Sequence, residues 1–202
     1  MKYTNYIFII AILLFLNCGA KYSNKEFKND YIKLKKSNLS LLSGIYDLYP
    51  AEYYGEQDDY THPDSLKNYV NLFSSITTEE IKSKYFNIYK QYDMKFQIEL
   101  ELIDSTHIDV ILRHNKEIIQ DEIVIGQLKD DGMFHLDNEY SEFRGIPFLF
   151  GGYSFNKRRI ALSKQYDIII NEATLNDGAI FLLIGAGRVS YNTSYRFKRI
   201  KQ

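Results

Sequence analysis

Apolar and polar residues alternate along much of the chain, most clearly between residues 95 and 103. There, the apolar residues at 96, 98, 100 and 102 are separated by charged or polar ones. A period of two places one set of side chains on a buried face and the other in water, which is typical of a β-strand. The adjacent pair Ile118-Ile119 interrupts a later alternating segment and predicts a β-bulge there.

Nine segments have this strand-like character. Turn-forming sequences separate several of them, among them Asn176-Asp177-Gly178 and Gly185-Ala186-Gly187. Short connections favour antiparallel neighbours, and closing a meander of this size removes its exposed edges. We therefore predict a mostly β fold, an antiparallel meander closing into an eight- to ten-stranded barrel. The predicted strands are 44–49, 95–103, 107–113, 117–126, 133–136, 153–163, 166–171, 178–185 and 189–200.

Two segments between the first and second strands have a helical period instead. Residues 64–73 carry apolar side chains at the i, i+3, i+4 and i+7 positions. Thr77 and Glu80 form a capping-box pattern ahead of a second apolar stripe that reaches residue 92. We predict two short helices inserted in the barrel. The alternative architecture is a helix with a curved, cone-like sheet, but nine strands exceed what such a sheet usually holds.

The N-terminus has the features of a secretory signal peptide over residues 1–17. Lys2 is followed by an apolar run from Tyr6 to Leu16, and small or polar residues come next. Eleven residues rise only ~16 Å as a helix, whereas the hydrocarbon core of a bilayer is ~30 Å thick. The run is therefore too short to span a membrane; a buried core helix is the alternative interpretation.

The one cysteine of the chain, Cys18, lies where the signal peptide should be cut. The segment from Leu14 to Gly19 resembles the lipobox of bacterial lipoproteins, with Phe15 and Asn17 where that pattern has a leucine and a small residue. The resemblance implies that Cys18 becomes the N-terminus and carries acyl chains. Several chains together hold a protein firmly to a membrane. Because Gly19 stands where an aspartate retains lipoproteins at the inner membrane, the expected location is the outer membrane of a bacterial envelope.

Residues 18–40 are rich in lysine, and the folded domain is predicted to cover residues 41–202. The segment from Lys21 to Lys36 contains six lysines but only two acidic residues, Glu26 and Asp30. We interpret this segment as a solvated tether, which as a flexible coil of about twenty residues reaches on the order of 25 Å. The alternative is that the lysines lie against anionic lipid headgroups.

The start of the predicted folded domain also resembles a known family. Asn38, followed six residues later by Gly44-Ile45-Tyr46, is similar to the start of the lipocalins, where a Gly-x-Trp motif begins the first strand. In that family an arginine of the last strand packs over the aromatic ring, and Arg199 is the matching candidate here. Tyr191 and Tyr195 share its parity on the last strand. The candidate ligand-binding residues are therefore Tyr46, Tyr191, Tyr195 and Arg199.

Composition narrows the possible functions. The chain has 25 Lys+Arg against 26 Asp+Glu, a net charge of -1, which excludes nucleic-acid binding by bulk electrostatics. A single cysteine excludes a disulfide framework and a thiolate zinc site. There are 18 Tyr and 13 Phe but no Trp. Tyrosine suits pocket linings and contact surfaces, although both residues are also good strand formers.

No convergent chemistry accompanies these features, so we predict no catalytic residue, metal or cofactor. The acidic loop from Glu52 to Asp64 lacks the spacing and the glycine of a helix–loop–helix calcium site. Glu99 and Glu101 lie on one face of a predicted strand, as the two catalytic carboxylates of a glycosidase could. However, they alternate with the buried residues of that strand, which is typical of its outer, solvated face. The histidines outside that loop, His107, His114 and His135, are interpreted as plain solvated residues.

Two functions from different classes remain. The first is a lipid-anchored, non-catalytic envelope binding protein that holds an apolar or amphipathic small ligand in the mouth of its barrel. The alternative is a structural or interaction lipoprotein that docks on another envelope protein and has no small-molecule ligand. An enzyme is a distant third.

Overall fold

Eleven β-strands and one α-helix make up the part of the chain that the structure, a computed structural model, describes. That part covers residues 20–55, 70–81, 96–146, 150–180 and 184–200. Two 3-10 helices, Lys25–Phe27 and Lys36–Leu42, lie near its start. The elements are β1 (Tyr31–Ile32), β2 (Gly44–Asp47), β3 (Glu52–Gly55), α1 (Leu72–Thr77), β4 (Phe96–Leu102), β5 (His107–His114), β6 (Glu117–Leu128), β7 (Phe134–Leu136), β8 (Tyr140–Ile146), β9 (Phe150–Ser163), β10 (Ile168–Ile180) and β11 (Ile184–Phe197).

The strands form one antiparallel sheet in the order β2-β4-β5-β6-β7-β9-β10-β11-β3. Strand β9 is paired with β10 along one side, and along the other side β8, β7 and β1 follow one another. The sheet curls until its first strand meets the end of its last. The Asp47 N–H donates to the Lys198 carbonyl at 2.9 Å, and the Ile200 N–H donates to the Ile45 carbonyl at 2.8 Å. These bonds close a path of eight strands and confirm the predicted antiparallel, mostly β fold.

The interior of this path is filled by apolar side chains. Tyr46, Phe134 and Phe197 are among the largest fully buried ones, and aliphatic residues from β4, β5, β9 and β10 pack between them. Each strand contributes every second residue, as the alternation in the sequence predicts.

Helix α1 covers the end of the barrel at which β2 finishes, and packs against β5 and β6. Asn71 caps it by accepting the Ser74 N–H at 2.9 Å, and Thr78 ends it with a φ of 67°. Within the predicted segment 64–73, residues 64–69 lie outside the described residues, and α1 begins at Leu72 near its end. Thr77 is its last residue rather than a cap outside it, although its hydroxyl does accept the Glu79 N–H at 3.1 Å. The remainder of both predicted helices lies outside the described residues.

The predicted turn at Asn176-Asp177-Gly178 is wrong, because these residues lie inside β10. Strand β10 therefore continues from the predicted strand 166–171 into residues 178–180 of the predicted strand 178–185, and it is paired with β11 along its length. Residues 184 and 185 of that predicted strand belong to β11. The glycines mark a bulge: Gly178 pairs with Gly187 and Ala179 with Gly185, which leaves Ala186 as the extra residue. The bulge predicted at Ile118-Ile119 is confirmed, since Arg113 pairs with Ile118 and Leu112 with Gln120.

The prediction of a solvated tether over residues 18–40 is also wrong for the part that the structure describes. Phe27 is buried against Met133, Ala161 and Ile169 on the outside of the sheet. Leu34 and Leu39 belong to the main core, and β1 pairs with the end of β9. The excess of lysine favoured the tether, and the spacing of Phe27, Tyr31 and Leu34 suggested at most one amphipathic helical face rather than packing on the sheet.

The distal parts of four strands extend beyond the barrel core and form what we call the β-arm: residues 140–146, 150–156, 174–180 and 184–191. Strand β8, which the sequence did not predict, runs along the β-arm beside β9. Phe143, Tyr153 and Val189 are exposed there by 55%, 39% and 59%. Strands β9 and β10 pair from Phe150 and Ile180 onward, and β8 and β11 pair with them as far as Ile146 and Ile184.

Candidate functional site

The inner wall of β9, β10 and β11 changes from apolar to polar where the β-arm begins. Ile160 pairs with Ile170 in the core; two residues further toward the β-arm, Arg158 pairs with Glu172. Alternation places all four side chains on the inner face. We call the polar residues at this level the inner-wall cluster. Its members are Asn156, Arg158, Glu172, Thr174, Tyr191 and Tyr195.

The charges of this cluster are incompletely paired. The Arg158 Nε lies 3.7 Å from a Glu172 carboxylate oxygen, with the two side chains 18% and 22% exposed. Asn156 donates from its amide to the other Glu172 oxygen and, at 3.3 Å, to Thr174 Oγ1. The Nε and Nη1 atoms of Arg158 are buried and have no hydrogen-bond partner among the described residues. A buried donor without an acceptor is costly, so an acceptor arriving there would be stabilised.

Tyrosines flank the charged pair on the core side. Burial raises the pKa of Tyr195 to about 12, and the Glu172 carboxylate acts in the same direction. Its ring lies 5.4 Å from the ring of Tyr53 on β3. Tyr195 therefore remains a neutral hydroxyl at physiological pH, and it presents an apolar ring with a polar tip on the same wall as Arg158. The arrangement offers apolar contact and hydrogen-bond donors together, which suits an amphipathic molecule.

The structure places the other two predicted site residues at the closure of the barrel. The Arg199 guanidinium lies 5.5 Å from the centroid of the Tyr46 ring. It also donates to the Leu41 carbonyl at 3.1 Å and to the Ser43 carbonyl. Any Cβ at residue 44 would overlap this guanidinium, which explains the glycine of the Gly-x-Tyr segment. Tyr46 and Arg199 thus hold the first strand against the last, away from the inner-wall cluster.

Buried Tyr46 completes this closure from within the core. Its hydroxyl donates to the Leu42 carbonyl at 2.9 Å. Burial raises its pKa to about 12, with Arg199 acting in the opposite direction.

On the outer face, a second polar cluster holds the N-terminal segment against the sheet. The Tyr22 ring has the Arg159 guanidinium 4.2 Å and the Lys157 ammonium 4.6 Å from its centroid, and the edge of His135 packs on it at 5.1 Å. We call these four residues the Tyr22 clamp. Further along the segment, Asp30 forms an ion pair with Arg196 of β11.

The Tyr22 clamp is supported by Asp131 in the turn before β7. One Asp131 oxygen accepts from Arg159 Nη1 at 2.7 Å and bonds His135 Nε2 at 2.8 Å. Arg159 is almost fully buried, and its Nε donates to Asn171 at 2.8 Å. Burial lowers the pKa of His135, although Asp131 opposes the change. The interpretation of His135 as a plain solvated residue is therefore wrong.

The other candidate groups from the sequence take ordinary roles where they are described. Glu99 pairs with Arg113 at 2.5 Å on the outer face, and Glu101 is exposed beside it. His107 bonds Asp104 at 3.0 Å, and His114 packs on Phe96. Within the described ranges, no group of three or more His, Cys, Asp or Glu side chains could hold a metal ion. Cys18, and the acidic loop beyond Gly55, lie outside the described residues.

Arg158, Asn156 and Glu172 are not among the site residues predicted from the sequence. A signal for them was present, because Arg158 and Asn156 share the parity of Ile160 and Leu162 in the predicted strand 153–163. A charged residue in phase with the core side chains of a barrel strand is the pattern to look for.

Comparison finds no matching family model, no matching curated protein and no matching solved structure. The curled antiparallel sheet is compatible with a calycin-like barrel. Across the described parts of the chain, no helix is long and apolar enough to cross a membrane.

Proposed function

We propose that this chain is a lipid-anchored binding protein of the bacterial cell envelope, with a lipocalin-like barrel that holds an amphipathic small molecule at its inner-wall cluster. The observation that carries the proposal is the Arg158 guanidinium, whose buried Nε and Nη1 lack acceptors among the described residues. The cluster lies directly above an apolar core. A ligand with an anionic or polar head and an apolar tail would satisfy both parts.

The head of such a ligand would accept from Arg158, and its tail would lie against the Tyr195 ring at the edge of the filled apolar core. Glu172, 3.7 Å from the Arg158 Nε, offsets part of the Arg158 charge, so the site favours a single weak anion or a polar acceptor over a multiply charged group. We propose no catalytic step, because the described cluster contains no nucleophile–base pair.

Binding of an amphipathic carboxylate tests the ligand site. We expect dansyl-labelled undecanoic acid to bind the wild-type protein, and Arg158→Gln to weaken binding about ten- to a hundredfold. The reason is that a hydrogen bond to a charged group contributes about 1.5–3 kcal/mol. Dansyl emission during titration measures the affinity.

The matched control is Arg144→Gln, because Arg144 is 81% exposed and forms an ion pair with Glu142 in the β-arm. The neutral methyl ester of the probe distinguishes recognition of the carboxylate head from nonspecific apolar binding. The wild type should bind the acid more tightly than the ester, and Arg158→Gln should bind the two equally. The double variant Arg158→Gln/Glu172→Gln also removes the charge of Glu172. It therefore tests whether weaker binding by Arg158→Gln comes from repulsion by an unpaired Glu172 carboxylate. Equal affinity of the wild type and Arg158→Gln for the acid would contradict the proposed site.

The anchor is tested at Cys18. We expect the wild-type protein to incorporate an alkyne analogue of palmitate and to fractionate with outer membranes after a high-salt wash. Cys18→Ala should lose the acyl label completely, since the chain has no second cysteine. It should also accumulate uncut or leave the membrane fraction to a large extent. Wild-type protein that takes up no acyl label would show that the lipid anchor is wrong.

A further inference from the structure

The outer face of β4, β5 and β6 carries an apolar ridge along β6. Ile123 and Ile125 are neighbours on this face and are 63% and 50% exposed. Ile118 lies on the same face beyond the bulge, because it pairs with the outward-facing Arg113, and it is 54% exposed. Single exposed isoleucines are ordinary, whereas three along one strand form a patch of the kind that marks a contact surface. We call these three isoleucines the β6 ridge.

Carboxylates lie beside the β6 ridge. Asp109 of β5 is opposite Ile123, and Glu101 of β4 is opposite Asp109. At the usual strand spacing, these two residues lie about 5 and 10 Å from the ridge. Asp121 stands on β6 itself, between Ile118 and Ile123, and is exposed. Within the described ranges, none of these three carboxylates forms an ion pair.

Asp109 has a side-chain oxygen that lacks a donor. Its Oδ1 is buried and has no hydrogen-bond partner among the described residues. Burial raises the pKa of Asp109, and the negative charges of Asp121, Glu101 and Glu99 act in the same direction. A buried acceptor without a donor is costly, so a cation that reached Asp109 would be stabilised there.

The shape of the surface favours a helical partner. The β6 ridge is one strand wide and, with one residue taken up by the bulge, about 20 Å long. That length matches about thirteen residues of α-helix, and an amphipathic helix has a narrow apolar stripe with polar residues on its flanks. A second sheet would need a broad apolar face, but the residues next to the ridge are charged. A partner strand would pair with the edge of a sheet and not with its face.

The charge of the surface excludes two other occupants. An anionic lipid surface would be repelled by the carboxylates beside the ridge. A second copy docked through the same face by a twofold axis would bring carboxylates against carboxylates, because such an interface uses one patch twice. Positive charge on the partner is complementary to this face.

We propose that the β6 ridge and its carboxylates are a docking surface for a cationic amphipathic helix of another protein. The apolar stripe of the helix would cover the three isoleucines, and Lys or Arg side chains on its flank would reach Asp109 and Glu101. The surface lies on the outside of the barrel. The inference therefore depends neither on a ligand at the inner-wall cluster nor on the lipid anchor.

Peptide titration tests this surface on the full-length protein in neutral maltoside micelles. The probe is a fluorescein-labelled peptide of about fourteen Leu and Lys residues, with its leucines at helical spacing. Fluorescence anisotropy measures the affinity. We expect Ile123→Ser/Ile125→Ser to weaken binding about tenfold, because the burial of two isoleucines is lost. Glu101→Gln/Asp109→Asn should weaken it about fivefold, and added salt should weaken wild-type binding more than binding by this variant.

The chain offers a matched control for each double variant. Val189→Ser removes an apolar side chain that is 59% exposed on the β-arm, and Asp130→Asn removes an exposed carboxylate in the turn before β7. Both should bind the peptide as the wild type does. A peptide with Glu in place of each Lys should not bind. If Ile123→Ser/Ile125→Ser does not fold by circular dichroism, Ile118→Ser replaces it, with an expected loss of about threefold.

Three results would overturn the proposal. Equal binding by the wild type and both double variants would show that the peptide binds the micelle or another surface. Equal affinity for the Glu peptide and the Lys peptide would remove the argument from charge. A wild-type dimer in native mass spectrometry that Ile123→Ser/Ile125→Ser dissociates would make a second copy of this chain the occupant.

Discussion

Tyr46→Ala should lower the free energy of unfolding by about 3–5 kcal/mol, the range for truncating a buried aromatic residue. Tyr46 is fully buried in the core. Its loss opens a cavity where β2 meets the end of β11, and it removes the ring over which Arg199 lies. Urea denaturation followed by circular dichroism measures the change.

The milder variant Tyr46→Phe separates packing from hydrogen bonding. It removes only the bond to the Leu42 carbonyl, so we expect a loss of about 1 kcal/mol. Tyr140→Ala is the matched control, because Tyr140 is 48% exposed on the β-arm and should change stability little. A Tyr46→Ala protein as stable as this control would show that the closure between β2 and the last strand contributes nothing to folding.

The sequence predicted the structure best where one face of the sheet is buried and the other is exposed to solvent. The alternation from Phe96 to Leu102 predicted β4 to within a residue, and the pair Ile118-Ile119 predicted the bulge in β6. It was least informative in the β-arm. Asn176-Asp177-Gly178 has the composition of a turn, but pairing on both sides of β10 stabilises the extended backbone there. Tertiary pairing overrode local preference.

The candidate site, like the fold, could be predicted from the sequence only in part. The Gly-x-Tyr segment and Arg199 were found together because a short motif and strand parity both pointed to them, and the structure brings them into contact. Whether Tyr191 and Tyr195 bind a ligand stays a prediction; the structure places them on one wall with Arg158. The Tyr22 clamp could not have been predicted, since it joins residues more than a hundred positions apart and the sequence around Tyr22 does not indicate which part of the sheet it contacts.

Asp131→Asn should destabilise the protein by about 2–3 kcal/mol at neutral pH. The substitution leaves the guanidinium of Arg159, only 6% exposed, without its carboxylate partner. Removing one partner of a buried ion pair costs about 3–5 kcal/mol, and the lower figure applies because Asp131 is 32% exposed. The control is Asp104→Asn, which breaks the Asp104–His107 pair, where the side chains are 52% and 38% exposed and no buried cation is involved. Equal effects of the two substitutions on the urea midpoint would contradict the role of Arg159.

The effect of Asp131→Asn should also depend on pH. Burial acts to raise the pKa of Asp131, but the hydrogen bond and charge of His135, with Arg159, hold it below its ordinary value of 3.8. The unfolded chain therefore binds a proton at Asp131 at a higher pH than the native protein does. The stabilisation is present above pH 3.8 and is lost as the pH falls through the lower native pKa. We expect the gap in urea midpoint between wild type and Asp131→Asn to be constant above about pH 6.5 and to shrink below pH 3.8.

His135 adds a slope to both proteins, because its lowered native pKa makes stability fall as the pH drops below 6.5. This slope should be steeper in Asp131→Asn, since Asp131 acts to raise the His135 pKa, and the gap should therefore widen between pH 6.5 and pH 5. His135→Gln should remove that slope and leave the Asp131 gap near pH 7 largely in place, since Arg159 still needs its partner.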